Sequence, residues 1–172
     1  MALHLSPDQI QHIRHHAEST YPDECCGLLL GQIEPGESNA ESNSVVVEAR
    51  SLPNAWVDSI ADELSALGNV PTTHGLTKSR RYWIDPKDML EAQRYARDRH
   101  LTIVGIYHSH PDNPAVPSEC DRVLAWPEYS YLIVSVPKGN AKDLLSWKLD
   151  DGHQFQSEPI RMCSQPSRAV KF

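Results

Sequence analysis

Two histidines and an aspartate lie close together in the sequence and could bind one metal ion. His108 and His110 are separated by one residue at the end of a strand-like run, Thr102 to His108. Side chains at i and i+2 of a strand point to the same side, so both imidazoles can reach one ion. A proline-rich linker, Pro111 to Pro117, then brings the chain around. Asp121 follows in the first turn of a predicted helix and can supply a carboxylate.

Two neutral nitrogens and one carboxylate leave a fourth position for water, as catalytic zinc requires. Zinc lowers the pKa of its bound water to about 7, which makes a hydrolytic nucleophile available at neutral pH. Each residue alone also has a structural interpretation. Ser118 and Asp121 have the spacing of a helix capping box, and the histidines could be polar residues at a strand end. The ordered set, with Glu24 upstream as a matching base, favours the metal site.

These residues resemble the motif of the JAMM/MPN+ metalloproteases. That motif has His-x-His, then a serine ten residues after the first histidine, then an aspartate three residues later, as in His108, His110, Ser118 and Asp121. Its upstream element is a glutamate just before an apolar strand rich in cysteine and glycine, which is matched here by residues 24–31. The resemblance covers most of the chain, and residues 81–126 are especially similar to the small, single-domain bacterial branch.

The resemblance implies a role for each matched residue. Glu24 would be the general acid and base, and His108, His110 and Asp121 would hold one zinc ion per chain. Ser118 would steady the oxyanion. Ser109 would support the strand end. The implied fold is the MPN/JAB1-like type, with layering like that of cytidine deaminases.

The resemblance also implies a substrate class. Family members cleave peptide or isopeptide bonds at the C-terminus of ubiquitin-like proteins. In bacteria it points to ubiquitin-like sulfur carriers of the β-grasp type, or to their small adducts. We therefore expect a zinc-dependent peptidase or isopeptidase with a protein or peptide substrate.

Three alternatives compete with this interpretation. A zinc nucleoside deaminase would need His-x-Glu and Pro-Cys-x-x-Cys, but His110 stands in place of the glutamate, and Ser118 and Asp121 stand in place of the two cysteines. A non-haem iron oxygenase also uses two histidines and a carboxylate, and metal analysis would distinguish it. A non-catalytic MPN binding module is the third, and the intact ligand set argues against it.

The elements that must position these residues mix helices and strands without strict alternation. This pattern predicts an α+β domain with a mixed, curved sheet and a helix on each side. Helices are predicted at residues 6–21, 55–67 and 118–126, and a further long helix is predicted to begin at Asp85 and to turn Met89, Ala92, Tyr95 and Ala96 to the core. Strands are predicted at residues 27–31, 45–47, 82–84, 102–108, 129–136, 144–149 and 154–160, and the last two form a hairpin across Asp151 and Gly152.

The segment from Asn54 to Arg81 stands between Glu24 and the histidines. It combines an amphipathic helix with a polar, basic loop. One interpretation is a surface excursion. The other is a flap that covers an extended substrate tail, as in strand-addition recognition.

Composition limits the remaining possibilities. The chain of 172 residues suits one domain, predicted at residues 1–161, with a loose tail at 162–172. The net charge of −7 argues against nucleic acid as a partner. The N-terminus does not resemble a secretory signal, and no apolar stretch is long enough to cross a membrane.

The cysteines and the histidines of the first helix have simpler interpretations. The four cysteines form no disulfide framework, which indicates a reduced, cytoplasmic protein. Cys120 interrupts the ligand pattern and is expected to pack within the short helix. His12 and His16 are four residues apart, but their polar surroundings favour a solvated helix face.

Overall fold

A computed structural model describes residues 1–36, 42–68, 70–71 and 75–163. It contains eight strands and four α-helices within these ranges. In chain order they are β1 (Leu3–Leu5), α1 (Pro7–Thr20), β2 (Cys26–Pro35), β3 (Ser42–Leu52), α2 (Asp58–Ala66), α3 (Pro86–Arg97), β4 (Thr102–Pro111), α4 (Glu119–Leu124), β5 (Ser130–Val136), β6 (Leu144–Leu149), β7 (Phe155–Glu158) and β8 (Ile160–Met162).

All eight strands form one mixed sheet in the order β7-β6-β5-β4-β2-β3-β1-β8. β2 is antiparallel to both β3 and β4, whereas β4 is parallel to β5. The two central strands are buried along most of their length. The predicted α+β class is confirmed.

Helices cover both faces of the sheet because consecutive strand residues point to opposite sides. On one face, Ile13 and Ala17 of α1 pack in a core with Leu29. On the other face, Ala92 and Ala96 of α3 pack in a second core with strand residues that include Leu28, Leu30 and Ile106. The two long helices therefore enclose β2 and β4 between them.

Serine or aspartate followed by proline, as in Ser6-Pro7 and Asp85-Pro86, is typical of a helix start, and each pair begins a helix here. Ser6 caps α1 in a capping box with Gln9, and Pro7 occupies the first helical position. Asp85 caps α3 by accepting a hydrogen bond from the Lys87 N–H. The observed α2 and α4 are shorter than the predicted helices, at residues 58–66 and 119–124.

The prediction of a strand at Tyr82–Ile84 is wrong. This segment is extended, but it joins no strand. Trp83 N–H donates to the Asn54 side chain, and Trp83 C=O accepts from Ala55 N–H. The backbone groups of Trp83 are thus satisfied by a neighbouring loop and not by a strand ladder.

The prediction of one final strand at 154–160 is also wrong beyond Glu158. β7 pairs with β6, as the hairpin turn predicts. Pro159 then interrupts the run because it has no N–H to donate. β8 lies at the opposite edge, parallel to β1, and Cys163 N–H donates to Leu5 C=O. Residues 164–172, the larger part of the predicted tail, lie outside the described residues. No described helix is long and apolar enough to span a bilayer.

Gly27 provides a test of how tightly β2 is packed. A Cβ at this position would overlap the Tyr107 ring and the Arg50 carbonyl oxygen. Tyr107 is fully buried, and its hydroxyl is held by Ser51 at 3.0 Å, so the ring has little room to move. We expect Gly27→Ala to lower the free energy of unfolding by at least about 1–3 kcal/mol. Urea denaturation measures this.

Gly152→Ala is the matched control. Its Cβ would lie 3.2 Å from an oxygen of the Asp150 carboxylate, in an exposed turn. We expect a change of less than about 0.5 kcal/mol. Equal effects of the two substitutions would contradict the tight packing inferred at Gly27.

Candidate active site

The two histidines lie at the C-terminal end of β4, on the face covered by α3. His108 is fully buried and His110 is 9% exposed. Their Nε2 atoms are 3.0 Å apart, so both rings point to one spot, as their spacing predicts. Tyr82 stacks on His108, with ring centroids 4.5 Å apart, and fixes the plane of that imidazole.

Asp121 completes the cluster from the first turn of α4. Its Oδ1 lies 3.5 Å from His108 Nε2, and its Oδ2 lies 3.6 Å from His110 Nε2. Bonds of about 2.0–2.1 Å in a tetrahedral zinc site place ligand atoms about 3.3 Å apart. The three observed separations are close to this value, and ligand atoms of the three residues lie within 4.8 Å of one another, so the cluster could hold a metal ion of this size.

Backbone contacts orient two of these side chains. His110 Nδ1 lies 2.8 Å from the Pro114 carbonyl oxygen, which can only accept, so Nδ1 carries the proton and Nε2 presents its lone pair. Asp121 Oδ2 accepts from Ser118 N–H at 2.6 Å. Because of these contacts, the ring and the carboxylate hold their orientation without an ion.

The capping box that the sequence suggests at Ser118 is present. Ser118 Oγ accepts a hydrogen bond from Asp121 N–H at 3.1 Å, and Asp121 Oδ2 accepts one from Ser118 N–H. Capping uses only a lone pair of the serine oxygen, so its hydroxyl hydrogen remains available as a donor. Ser118 also lines the cleft at the ligand cluster. The structural and the chemical interpretation of this residue are therefore compatible.

Glu24 lies in the same cleft, two residues before the start of β2, and is 7% exposed. Cys25 and Ser109 hold it there. Cys25 N–H donates to Ser109 Oγ at 2.8 Å, and Ser109 N–H donates to Cys25 C=O at 3.2 Å. Ser109 thus ties the strand end to the Glu24 segment, which gives a physical basis to its predicted supporting role.

The two carboxyl groups of the cleft have pKa values that are shifted in opposite directions. Burial raises the pKa of Glu24 to about 8, which outweighs the attraction of His110. Burial also acts on Asp121, but His108 and His110 overcome it and hold the pKa of Asp121 well below its ordinary value. Burial likewise raises the pKa of the Cys120 thiol, which fits a packing role.

Asn54 is a residue of the site region that the sequence does not reveal. Its Nδ2 donates to the carbonyls of Glu24 at 3.0 Å and Arg81 at 2.9 Å. Its Oδ1 accepts from the N–H groups of Trp56 and Trp83. One side chain therefore joins the Glu24 segment to the extended segment beside the cleft. No motif surrounds it, so only the structure shows this contact.

The cleft has a volume of about 580 Å³. Its floor carries Glu24, His110, Ser118 and Asp121. Most of its other lining is apolar or aromatic: Trp56, Tyr82, Trp83, Ile84, Met89, Pro114, Val116, Leu124, Trp126 and Tyr131. Arg80 and Arg81 add positive charge. The lining suits an extended apolar chain that enters from solvent.

The segment predicted as a flap borders this cleft. Trp56 and Leu64 form a small core that Trp83 and Leu124 of α4 complete. Trp56 Nε1 donates to Leu76 C=O at 3.0 Å. Residues 69 and 72–74 lie outside the described residues. The location next to the site is as expected, and the flap function stays a prediction.

Comparison with known proteins identifies the family. A model of prokaryotic homologues of the JAB domain matches residues 6–150. The chain belongs to the prokaryotic JAB-domain family. A desampylase from Haloferax volcanii is 34% identical over 130 residues, covering 73% of this chain and 72% of that protein. A CysO-cysteine peptidase from Mycobacterium tuberculosis is 26% identical over 164 residues, covering 95% of this chain and 92% of that protein.

Solved structures agree with this JAB-domain assignment. A protein from Salinibacter ruber is 30% identical, with a TM-score of 0.61, and covers 98% of this chain and 94% of that chain. A protein from Desulfitobacterium hafniense has a TM-score of 0.72 at 24% identity over 97% of both chains, which shows the shared fold. The family and the names of the relatives imply that the chain is a hydrolase of the JAB family.

Asn54→Asp tests the junction beside Glu24. The substitution keeps the shape but replaces two N–H donors with an oxygen that faces two carbonyl oxygens. We expect it to lower the free energy of unfolding by at least about 2 kcal/mol, because two partly buried carbonyls lose their donors and face a charge. Thermal and urea unfolding measure the loss.

Asn140→Asp serves as the control, because the Asn140 side chain donates to Lys138 C=O at an exposed turn. A change within about 0.5 kcal/mol is expected there. If Asn54→Asp were equally mild, the junction would not depend on the Asn54 amide.

Proposed function

We propose that this protein is a zinc-dependent peptidase or isopeptidase that acts at the C-terminus of a ubiquitin-like or β-grasp sulfur-carrier protein. The observation that carries the proposal is the convergence of His108, His110 and Asp121 beside a buried glutamate in one cleft. The names of the relatives support the substrate class, because they are a CysO-cysteine peptidase and desampylases.

In this proposal His108, His110 and Asp121 hold the zinc ion. When bound, zinc polarises the scissile carbonyl and lowers the pKa of a water molecule. With three protein ligands, a catalytic zinc site would leave its fourth position to that water. The Pro114 carbonyl keeps His110 in the tautomer that binds metal.

Glu24 moves the proton. Its carboxylate takes a proton from the attacking water and returns it to the leaving nitrogen. The backbone contacts of Cys25 hold the carboxylate at the ligand cluster, and burial excludes competing water. The Ser118 hydroxyl donates to the oxygen on which negative charge develops, while its own lone pair caps α4.

The proposal extends to the organisation and location of the protein. One catalytic domain spans residues 1–161. The protein works in the cytoplasm, and this is supported by cysteines that are all free in the described part of the chain. A non-catalytic JAB module is the competing function, and an activity assay separates the two.

Metal content tests the ligand set. We expect one zinc ion per chain in the parent protein. His110→Ala should lose most of its zinc, because the site would keep only one imidazole and one carboxylate. Elemental analysis of dialysed protein measures the ratio. His15→Ala, an exposed histidine on α1, is the control and should retain full occupancy. Full occupancy in His110→Ala would refute the assignment.

Glu24→Gln separates a base from a ligand. The amide has the same shape but cannot take a proton, so we expect zinc to be retained and turnover to fall by about 10²–10⁴. The assay follows cleavage of a β-grasp protein with a C-terminal extension by intact mass. Glu128→Gln, at an exposed position, should leave the rate unchanged. Loss of zinc in Glu24→Gln would instead make Glu24 a ligand.

A further inference from the structure

Arg80 and Arg81 supply the positive charge of the cleft. The acidic groups among its lining residues are Glu24 and Asp121. In the described part of the chain, neither arginine forms an ion pair. A divalent cation at the three ligands would balance the two carboxylates and leave both arginines without a counter-charge. With that cation bound, the cleft would have a surplus of positive charge in a chain whose net charge is −7.

The backbone of Arg81 is fixed next to Glu24. The Asn54 amide donates to the carbonyls of both residues, at 2.9 and 3.0 Å. Arg81 is thus a near neighbour of the proposed proton carrier, yet its guanidinium does not pair with it. Both residues line the cleft, so a bound substrate group can contact both of them.

The Arg81 guanidinium has few partners in the protein. Its Nη1 donates to Arg80 C=O at 2.7 Å. Its Nε is enclosed and has no hydrogen-bond acceptor among the described residues. A guanidinium has five N–H donors, and a partly enclosed charge without a counter-charge is costly. An anion that enters the cleft would offset that cost.

The leaving group of the proposed reaction can supply this anion. In a C-terminal residue, one carbon separates the amide nitrogen from the α-carboxylate, so the carboxylate carbon stays within about 2.5 Å of that nitrogen. Glu24 must reach the same nitrogen to protonate it. An α-carboxylate is therefore held close to Glu24, where Arg81 lies. The nitrogen of a lysine isopeptide carries only an apolar methylene chain at this distance.

We propose that Arg81 binds the free α-carboxylate of the residue that the hydrolysis releases, so that the enzyme removes a single C-terminal residue from its carrier protein. This inference rests on the proposed function. Water adds its oxygen to the carbonyl carbon of the carrier as the C–N bond breaks, and the released nitrogen gains a proton. The products are a carrier with a free C-terminal carboxylate and one free amino acid.

Three peptides with the C-terminal tail of a β-grasp carrier test the proposal. The first ends in an added alanine as the free acid, the second in the same alanine as an amide, and the third in a glutamate amide. We expect the zinc-loaded parent protein to favour the free acid over both amides by about 10- to 150-fold in kcat/KM, the range for hydrogen bonds to a charged group. Arg81→Gln should lower the rate on the free acid to that on the alanine amide. Arg81→Lys should restore part of the preference, because it keeps the charge.

Binding to the metal-free protein is the second readout. It excludes direct ligation of the carboxylate to zinc. Calorimetry should give the same preference for the free acid, and Arg81→Gln should remove it. Arg97→Gln removes an equal charge from an exposed position on α3 and should leave both readouts unchanged.

The outcomes separate this inference from the proposed function. Cleavage of the free acid and the alanine amide at equal rates would overturn the carboxylate site and leave the peptidase intact. A preference for the free acid that survives Arg81→Gln would overturn the carboxylate site as well. Equal kcat/KM for the glutamate amide and the free acid would also overturn it, since the site would then recognise an acidic side chain. Arg81-dependent binding of the free acid without cleavage would support the site and refute the peptidase. If no peptide is bound and none is cleaved, both the carboxylate site and the peptidase are refuted.

Discussion

The antiparallel pairing of β2 with β4 is the interaction on which the site depends. Glu24 precedes β2, whereas His108 and His110 lie near the end of β4. Antiparallel pairing places the start of one strand beside the end of the other, and Cys26 is opposite His108 in the observed register. The hydrogen bonds between Cys25 and Ser109 extend this pairing by one step. They bring together residues that are more than eighty positions apart.

Register makes this arrangement specific. A shift of one residue would turn His108 and His110 to the α1 face, because side chains alternate along a strand. The two cores oppose such a shift, since Leu29 belongs to one face and Leu28 and Leu30 belong to the other. Burial of apolar side chains therefore selects the register, and the register selects the face on which the histidines meet. The positions of the polar residues follow from packing that involves none of them.

The sequence predicts the local parts of this design well. The α1 and α3 caps depend on residues adjacent to the helix ends, and the convergence of His108 and His110 depends on a spacing of two. The resemblance to a known family also places Glu24 in the same cleft, although nothing local links it to the histidines. The spacing of Ser118 and Asp121 suggests either a helix cap or a catalytic role for Ser118. The structure contains the capping contacts, and these do not use the hydroxyl hydrogen of Ser118.

The elements that the sequence does not predict depend on distant partners. Leu3–Leu5 has only three residues and becomes a strand because β3 and β8 lie on either side of it. Tyr82–Ile84 has strand-like residues, yet its backbone bonds go to Asn54 and Ala55. Asn54 itself has no distinguishing neighbours in the sequence. In each case the deciding contact crosses the fold, so periodicity and propensity carry no signal for it.

The unequal environments of Glu24 and Asp121 support different roles for two residues of similar chemistry. Asp121 faces both imidazoles, and its pKa stays well below the ordinary value, so it is an anion suited to bind a cation. Glu24 is buried without an ion pair among the described residues, and its pKa rises to about 8. A dication held by the three ligands would lower that pKa towards neutrality, where a group can both take and return a proton. Environments that separate the pKa values of two neighbouring carboxyl groups are a common basis of acid–base assignment. Here the separation follows from position, because Asp121 lies between the histidines and Glu24 lies beside them.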